Sequence, residues 1–269
     1  MQTKIKEFQV LHHLIVHKIK LQFSDQLFGY AWALLNPLVY IFSFWFFGYV
    51  GLRGGLVNGF HFVVWVIPGL LAYRFLATVL SQSATALTRN GMLISETGIK
   101  ANIIPLVETL KESYIHIGIM LAMFIFYAFI GYTLTGTWDM LPSIYYLNFI
   151  YYWFVLFIYS IVLCYIISAI GLLFRDTKNI ITSILVPLFW TTPVLFPVEH
   201  GIQPQLELIE MAINPFYYFI KGYRDTMLYG EFFYVDWKYN LYMWLIIFIM
   251  VLIARKLWKF ITPIISDIV

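Results

Sequence analysis

The sequence predicts an all-α integral membrane protein with six transmembrane helices, an N-terminal amphipathic interfacial helix and re-entrant outer helices. Three observations carry that prediction. Asp, Glu, Lys and Arg make up only 12% of the 269 residues, about half of the roughly 25% that a soluble surface carries. Hydrophobic residues are 61% and aromatics 20% of the chain. The few charges are separated by six long charge-free runs. This composition excludes a disordered chain, a disulfide scaffold and a soluble nucleic-acid binder, and the net charge of +3 does not advertise a polyanion partner. The lone Cys164 forms no intrachain disulfide and supplies no thiolate cluster.

The charge-free runs are Gln26–Leu52, Gly54–Tyr73, Ser113–Trp138, Met140–Phe174, Asn179–Val198 and Tyr239–Ala254. About 20 apolar residues of helix cross a ~30 Å hydrocarbon core. The expected spans are therefore 28–50, 61–81, 113–134, 145–173, 180–197 and 240–257, within a transmembrane domain over 26–260. A β-barrel needs alternating segments of ~10 residues, whereas Tyr145–Ile158 is apolar on every face. No cleavable signal peptide is expected, because the first apolar run is too long for one and follows a polar segment. Lys and Arg counts set the orientation. With the N-terminus inside, twelve fall in cytoplasmic flanks and four outside, so both termini, including a 261–269 tail, are expected in the cytoplasm of a plasma-membrane protein.

Residues 1–25 form the interfacial segment. At 100° per residue, Ile5, Phe8, Leu11, Ile15, Ile19 and Phe23 share one face and Lys6, His13, His17, Lys20 and Ser24 the other. Such a helix lies in the headgroup layer. His13 and His17 have metal-ligand spacing without a further ligand, so a solvated face is the better reading and no metal site is expected. The chain turns at Asn36-Pro37 into the first span. Residues 82–112 form a long cytoplasmic loop with an amphipathic piece over 90–105, suited to contact with a soluble partner. Phe174–Asn179 is the tightest charge cluster. Outside, Ile209–Ile213 and Phe216–Ile220 are apolar but too short to cross, which suggests re-entrant or interfacial helices.

Catalytic signatures are missing. There is no GxxxxGK[ST], GxGxxG, HExxH, CxxC or GxSxG. The six histidines are scattered, and His116 reads as a packed or interfacial residue. Glu207 and Glu210 are weak evidence for acid–base work. Arg74 is the only charge well inside a span; an ionisable residue there is a functional-site candidate by default, and snorkelling to a nearby interface is the competing reading. The chain is thus expected to carry no catalytic residue and to need an external energy source.

Several segments resemble the ABC-2 type permeases that export bacterial surface polysaccharides. These are Leu27–Tyr40, Gly171–Thr177, Thr192–Pro197 and Ile213-Asn-Pro-Phe followed by Gly222-Tyr-Arg-Asp225. Phe47–Arg53, Tyr229–Asp236 and Ser266–Val269 resemble most closely the permeases of teichoic acid export. The resemblance implies a half-transporter that works as a homodimer, together with two copies of a separate ATPase subunit that holds ATP and Mg. It also implies a lipid-linked teichoic acid or similar polymer as substrate, and a passage out of the cytoplasmic leaflet. By the same resemblance the ATPase-coupling residues are Met92, Leu93, Ile94, Glu96, Ile99 and Lys100, with Arg175 and Asp176 as a second contact. Ile99-Lys100 stand where relatives usually carry Phe-Pro. Aromatics offer flat faces to sugar rings, so Tyr30, Trp32, Phe42, Trp45, Phe189 and Trp190, with Arg74, are the candidate substrate pathway. The competing readings are an ABC-2 exporter of drugs or small lipids, and a polytopic glycosyl or acyl transferase.

Overall fold

The computed structural model describes the backbone of residues 2–46, 48, 50, 56–97, 99–136, 143–199 and 201–268. Side chains are described for the same residues except 2–10, 97, 135 and 266–268. The loop 51–55, the motif residues Phe47, Tyr49 and Val269, and the inward positions Ile5 and Phe8 lie outside what is described.

The regular structure of the described residues is helical apart from one short two-stranded hairpin, Leu56–Val57 with Phe60–His61. The helices are α1 (Gln2–Ser24), α2 (Trp32–Phe46), α3 (Phe62–Ser83), α4 (Ala86–Arg89), α5 (Gly91–Thr97), α6 (Ile104–Thr135), α7 (Asn148–Leu173), α8 (Thr177–Thr191), α9 (Pro204–Ile213), α10 (Pro215–Arg224) and α11 (Trp237–Ile268). Four segments are long and apolar enough to cross a bilayer: Phe62–Ser83, Ala101–Leu134, Ile144–Leu173 and Trp237–Ile265. This is a multi-pass membrane protein. The stretches Leu11–Ser24 and Gly29–Phe46 form a pair of apolar helices bent by 91°, and α1 packs against α6.

The six expected spans are met unequally. α8 has 15 residues, about 22 Å at 1.5 Å per residue, short of a full crossing, whereas α2 follows a 3-10 turn at Gly29–Ala31 and helical backbone is described again at Gly48 and Val50. α8 ends at Thr191 because Thr192 precedes Pro193 and is extended (φ −69°, ψ 137°), the conformation a following proline favours. α6 begins at Ile104, upstream of the charges that suggested a loop to residue 112. Its second residue, Pro105, needs no backbone partner at a helix start, and Glu108, Lys111 and Glu112 are buried inside the bundle.

α3 is the central helix. Val64, Trp65, Val66, Ile67, Ala72 and Leu76 have no exposed surface, and α2, α6, α7, α8 and α10 pack around it. The apolar face of α1, expected to lie against lipid, instead has Ile15 and Phe23 buried in the protein and Leu11 and Ile19 half-buried, while His13, His17 and Lys20 are exposed. A second apolar cluster lies where α4, α6, α7 and the end of α11 meet, built on Ala86, Leu87, Ile104, Leu172, Ile261 and Ile265. Gly171 lets the backbone of α7 approach Ala84, since a Cβ there would collide with the Ala84 carbonyl.

Candidate functional site

Three regions combine charge, aromatic surface and inter-helix contact. The first is a buried ionic hub at the end where α1, α3, α4 and α6 converge. Glu108 of α6 receives Lys18 of α1 at 2.6 Å, Arg89 of α4 at 3.0 Å and Lys111 at 3.1 Å. Lys111 also pairs with Glu112 at 3.0 Å and donates to Gln82 at the end of α3 at 2.6 Å. Asn90 accepts from Lys18 at 2.5 Å and donates to Glu108 at 3.2 Å and to the Ala86 carbonyl at 2.6 Å. Buried charges persist only when paired and hydrogen-bonded. Here the pairing joins residues up to 90 positions apart and ties α1 to the base of α5.

α5 continues directly from this hub, its Ile94 N–H donating to the Asn90 carbonyl at 3.0 Å. Of the residues singled out for coupling, Met92 is 73% exposed, and Glu96 and Lys100 are also exposed. Leu93 and Ile94 turn inward onto the second apolar cluster, and Ile99 is half-buried. Arg175 and Asp176 form an exposed turn between α7 and α8, closed by the Thr177 hydroxyl donating to the Phe174 carbonyl at 2.7 Å.

The second region is an open groove between α2, α3 and α8, in which Tyr40 and Trp190 are exposed. Tyr40, Tyr73, Arg74, Phe189 and Trp190 line a groove of about 430 Å³. The Arg74 guanidinium stands 4.1 Å from the centre of the Tyr40 ring, a favourable cation–π geometry. Phe189 packs edge-on against Tyr73 at 5.1 Å and against Trp190 at 5.6 Å, and stacks on Phe44 at 5.5 Å. A smaller cavity of about 160 Å³ lies on the other side of Arg74, between α1, α2, α3 and α6, and includes Trp32, Asn36, Glu112 and His116. His116 shares a 3.0 Å hydrogen bond with the Tyr223 hydroxyl and packs on Phe75 at 4.6 Å.

The structure therefore brings Arg74, Phe189 and Trp190 together and adds Tyr40 and Tyr73, which sequence reasoning missed. Trp32 borders the smaller cavity. Tyr30 packs on Phe23 at 5.4 Å, near the bend between α1 and α2. Phe42 and Trp45 contact each other at 5.7 Å on an exposed face of α2 and line neither space.

The third region clamps α10 and the segments that flank it. Arg224 is fully buried in α10, with its guanidinium 3.5 Å from the centre of the Trp65 ring. It pairs with Glu199 at 2.9 Å and donates to the carbonyls of Pro193 at 2.8 Å and Val194 at 2.7 Å. One arginine thus joins α3, α10 and the chain just past α8. Trp65 and Asn58 both donate to the Tyr229 hydroxyl, at 3.0 and 2.8 Å. Lys221 pairs with Asp225 at 2.9 Å and Asp236 at 2.6 Å. Burial works to lower the Lys221 pKa, but the two carboxylates outweigh it and hold it above the ordinary lysine value. Gly222 faces the Tyr152 ring so closely that a Cβ would collide with it. The Arg224-Asp225 pair was visible only as a motif fragment, and nothing in the sequence pointed to Glu199 as its partner.

No protein-family model matches the chain. It is 24% identical to the O-antigen export system permease protein RfbA of Myxococcus xanthus, over 80% of this chain and 78% of that protein. A Klebsiella pneumoniae O-antigen export system permease protein RfbA is 23% identical over 83% of this chain and 82% of its own length. The Escherichia coli polysialic acid transport protein KpsM is 22% identical over 81% of this chain and 80% of its own length. The resemblance to polysaccharide export permeases that the sequence motifs carry thus extends over about four-fifths of the chain.

Proposed function

We propose that this chain is the membrane-spanning subunit of an ATP-driven exporter that moves a lipid-linked surface polymer, teichoic acid or a similar polysaccharide, across the plasma membrane. The carrying observation is the similarity, along most of both chains, to permeases named for O-antigen export and polysialic acid transport. Two copies of the chain act with two copies of a separate ATPase subunit, which supplies ATP and Mg. The arrangement of charge and surface fits this reading. α5 and the 175–176 turn present exposed Met92, Glu96, Lys100, Arg175 and Asp176, while the hub behind α5 joins α1, α3 and α6. A push on α5 is passed to the bundle through paired charges, which resist separation because an unpartnered buried charge is costly.

Polymer leaves the inner leaflet beside α1 and passes the aromatic groove of α2, α3 and α8. Ring faces there cover sugar rings with few strong polar contacts, which permits sliding. The competing enzyme reading would need converging acid–base groups. Among the described residues, the buried acids Glu108, Glu112, Glu199 and Asp225 are each ion-paired, and the fifth, Glu210, is held by Asn214 at 2.8 Å with no acid–base partner converging on it. The test is affinity capture of the full chain from membranes. Recovery of an ATPase subunit, together with ATP hydrolysis stimulated by the permease, supports the exporter. Capture without an ATPase, with unaided turnover of a lipid-linked donor, refutes it.

A further inference from the structure

We infer that Arg74 is an anion-binding subsite for the repeat units of the exported polymer, so that the load carries phosphodiester or carboxylate groups along its length; this rests on the export reading above. The argument begins with position. Arg74 lies twelve residues into α3 and nine before its end, about 18 and 13 Å from the two ends at 1.5 Å per residue. A cation at that depth is expensive unless something offsets it.

Every other inward-facing cation of the described chain has a carboxylate. Lys18 has Glu108 at 2.6 Å, Lys111 has Glu112 at 3.0 Å, Lys221 has Asp236 at 2.6 Å and Arg224 has Glu199 at 2.9 Å. Among the described residues Arg74 has neither an ion pair nor a hydrogen-bond acceptor. Its only recorded partner is the Tyr40 ring at 4.1 Å, which holds the guanidinium by its face and leaves the N–H edge unengaged. Glu112 borders the smaller cavity with Arg74, but its carboxylate is taken by Lys111.

Arg74 also borders both spaces, the small cavity and the 430 Å³ groove. The wider side is walled by Tyr73, Phe189 and Trp190, flat surfaces for sugar rings, with Arg74 the one charged group lining that groove. A planar fork with five donors and no acceptor matches a phosphate or carboxylate oxygen pair. A neutral glycan would leave that fork unmatched, whereas an anionic repeat would fill it each time a unit passes.

The test uses the full chain in phosphatidylcholine nanodiscs, with tryptophan fluorescence reporting binding of a glycerol-phosphate oligomer and of a maltooligosaccharide of equal length. Binding of the charged oligomer should weaken roughly tenfold in Arg74→Gln and stay within about threefold of wild type in Arg74→Lys, since a charge-assisted hydrogen bond is what is lost. The neutral oligomer should bind all three proteins alike. Equal binding of the charged oligomer to wild type and R74Q, or no binding of it to wild type, overturns the proposal. So does suppression of the charged-oligomer signal by phosphatidylglycerol in the disc, which would assign Arg74 to a lipid headgroup. In cells depleted of the native protein, a wild-type copy that fails to restore surface polymer counts against the export reading itself. R74Q that restores it as fully as wild type counts against the anion subsite alone.

Discussion

Replacing Glu108 by Gln should loosen the interfacial helix and weaken the link between α5 and the bundle. The substitution keeps the shape of the side chain and its contact with Asn90 but removes the charge shared by three cations. Their exposures apportion the cost. The Arg89 side chain is 47% exposed, so its share is at most about 1 kcal/mol, as for surface pairs. Lys111 keeps Glu112 at 3.0 Å. Lys18, 14% exposed and 2.6 Å from Glu108, is left without a carboxylate, and stranding one member of a buried pair costs roughly 3–5 kcal/mol. Lys18→Met alone should cost less, because Glu108 retains Lys111 and Arg89. The double variant removes both charges and should recover about 1–3 kcal/mol relative to the sum of the single changes, as for residues in direct contact. Denaturant unfolding of the four proteins in matched micelles measures this cycle. A spin label at Lys20→Cys reports α1 directly, because Cys164 is buried and does not compete for the label. Label mobility should rise in Glu108→Gln and fall back in the double variant. Additive costs, or a label that does not respond, would refute the hub as the tether of α1.

Other regions give independent tests. Arg224→Lys cannot span Pro193, Val194 and Glu199 at once, and should destabilise the protein by roughly 3 kcal/mol; hydrogen exchange should quicken over residues 192–199 and 215–224 while α11 is unaffected. Gly222→Val forces a branched side chain against Tyr152 and should cost on the order of 2 kcal/mol or more, read as a fall in folded yield that Tyr152→Ala partly restores. Met92→Lys combined with Glu96→Lys changes only exposed groups and should leave the unfolding transition within about 0.5 kcal/mol of wild type, yet reduce capture of the ATPase subunit at least tenfold. Phe189→Ala with Trp190→Ala should lower polymer export severalfold without changing that capture.

The long apolar helices were legible because charge spacing reports membrane depth directly. Ile144–Leu173 lies within the charge-free run 140–174, and Phe62–Ser83 begins in the run 54–73 and continues past Arg74. The start of α6 was not legible, because charge implied solvent and three of its charges are buried. Glu108 is neutralised by Lys18 from 90 residues away, a pairing that no local pattern encodes. The same limit applies around α10. Arg224 stood in a recognised motif, but its role depends on Glu199, on two carbonyls freed where Pro193 ends α8, and on the Trp65 ring across the bundle. The aromatic groove was half legible. Phe189 and Trp190 were chosen as aromatics of the fifth expected span, while Tyr40 and Tyr73 join them only because α2, α3 and α8 pack at that level. Phe42 and Trp45 share the chemistry of the groove but lie on another face of α2, and composition could not separate the two faces.

The central claim is that this chain carries a lipid-linked polymer outward using energy from a separate ATPase. Depletion of the chain in living cells, followed by extraction of lipid-linked polymer from inside and of finished polymer from the surface, tests it most directly. Polymer accumulating inside with surface polymer lost, and both reversed by the wild-type chain but not by Met92→Lys with Glu96→Lys, is the expected result. Normal surface polymer after depletion would contradict the account.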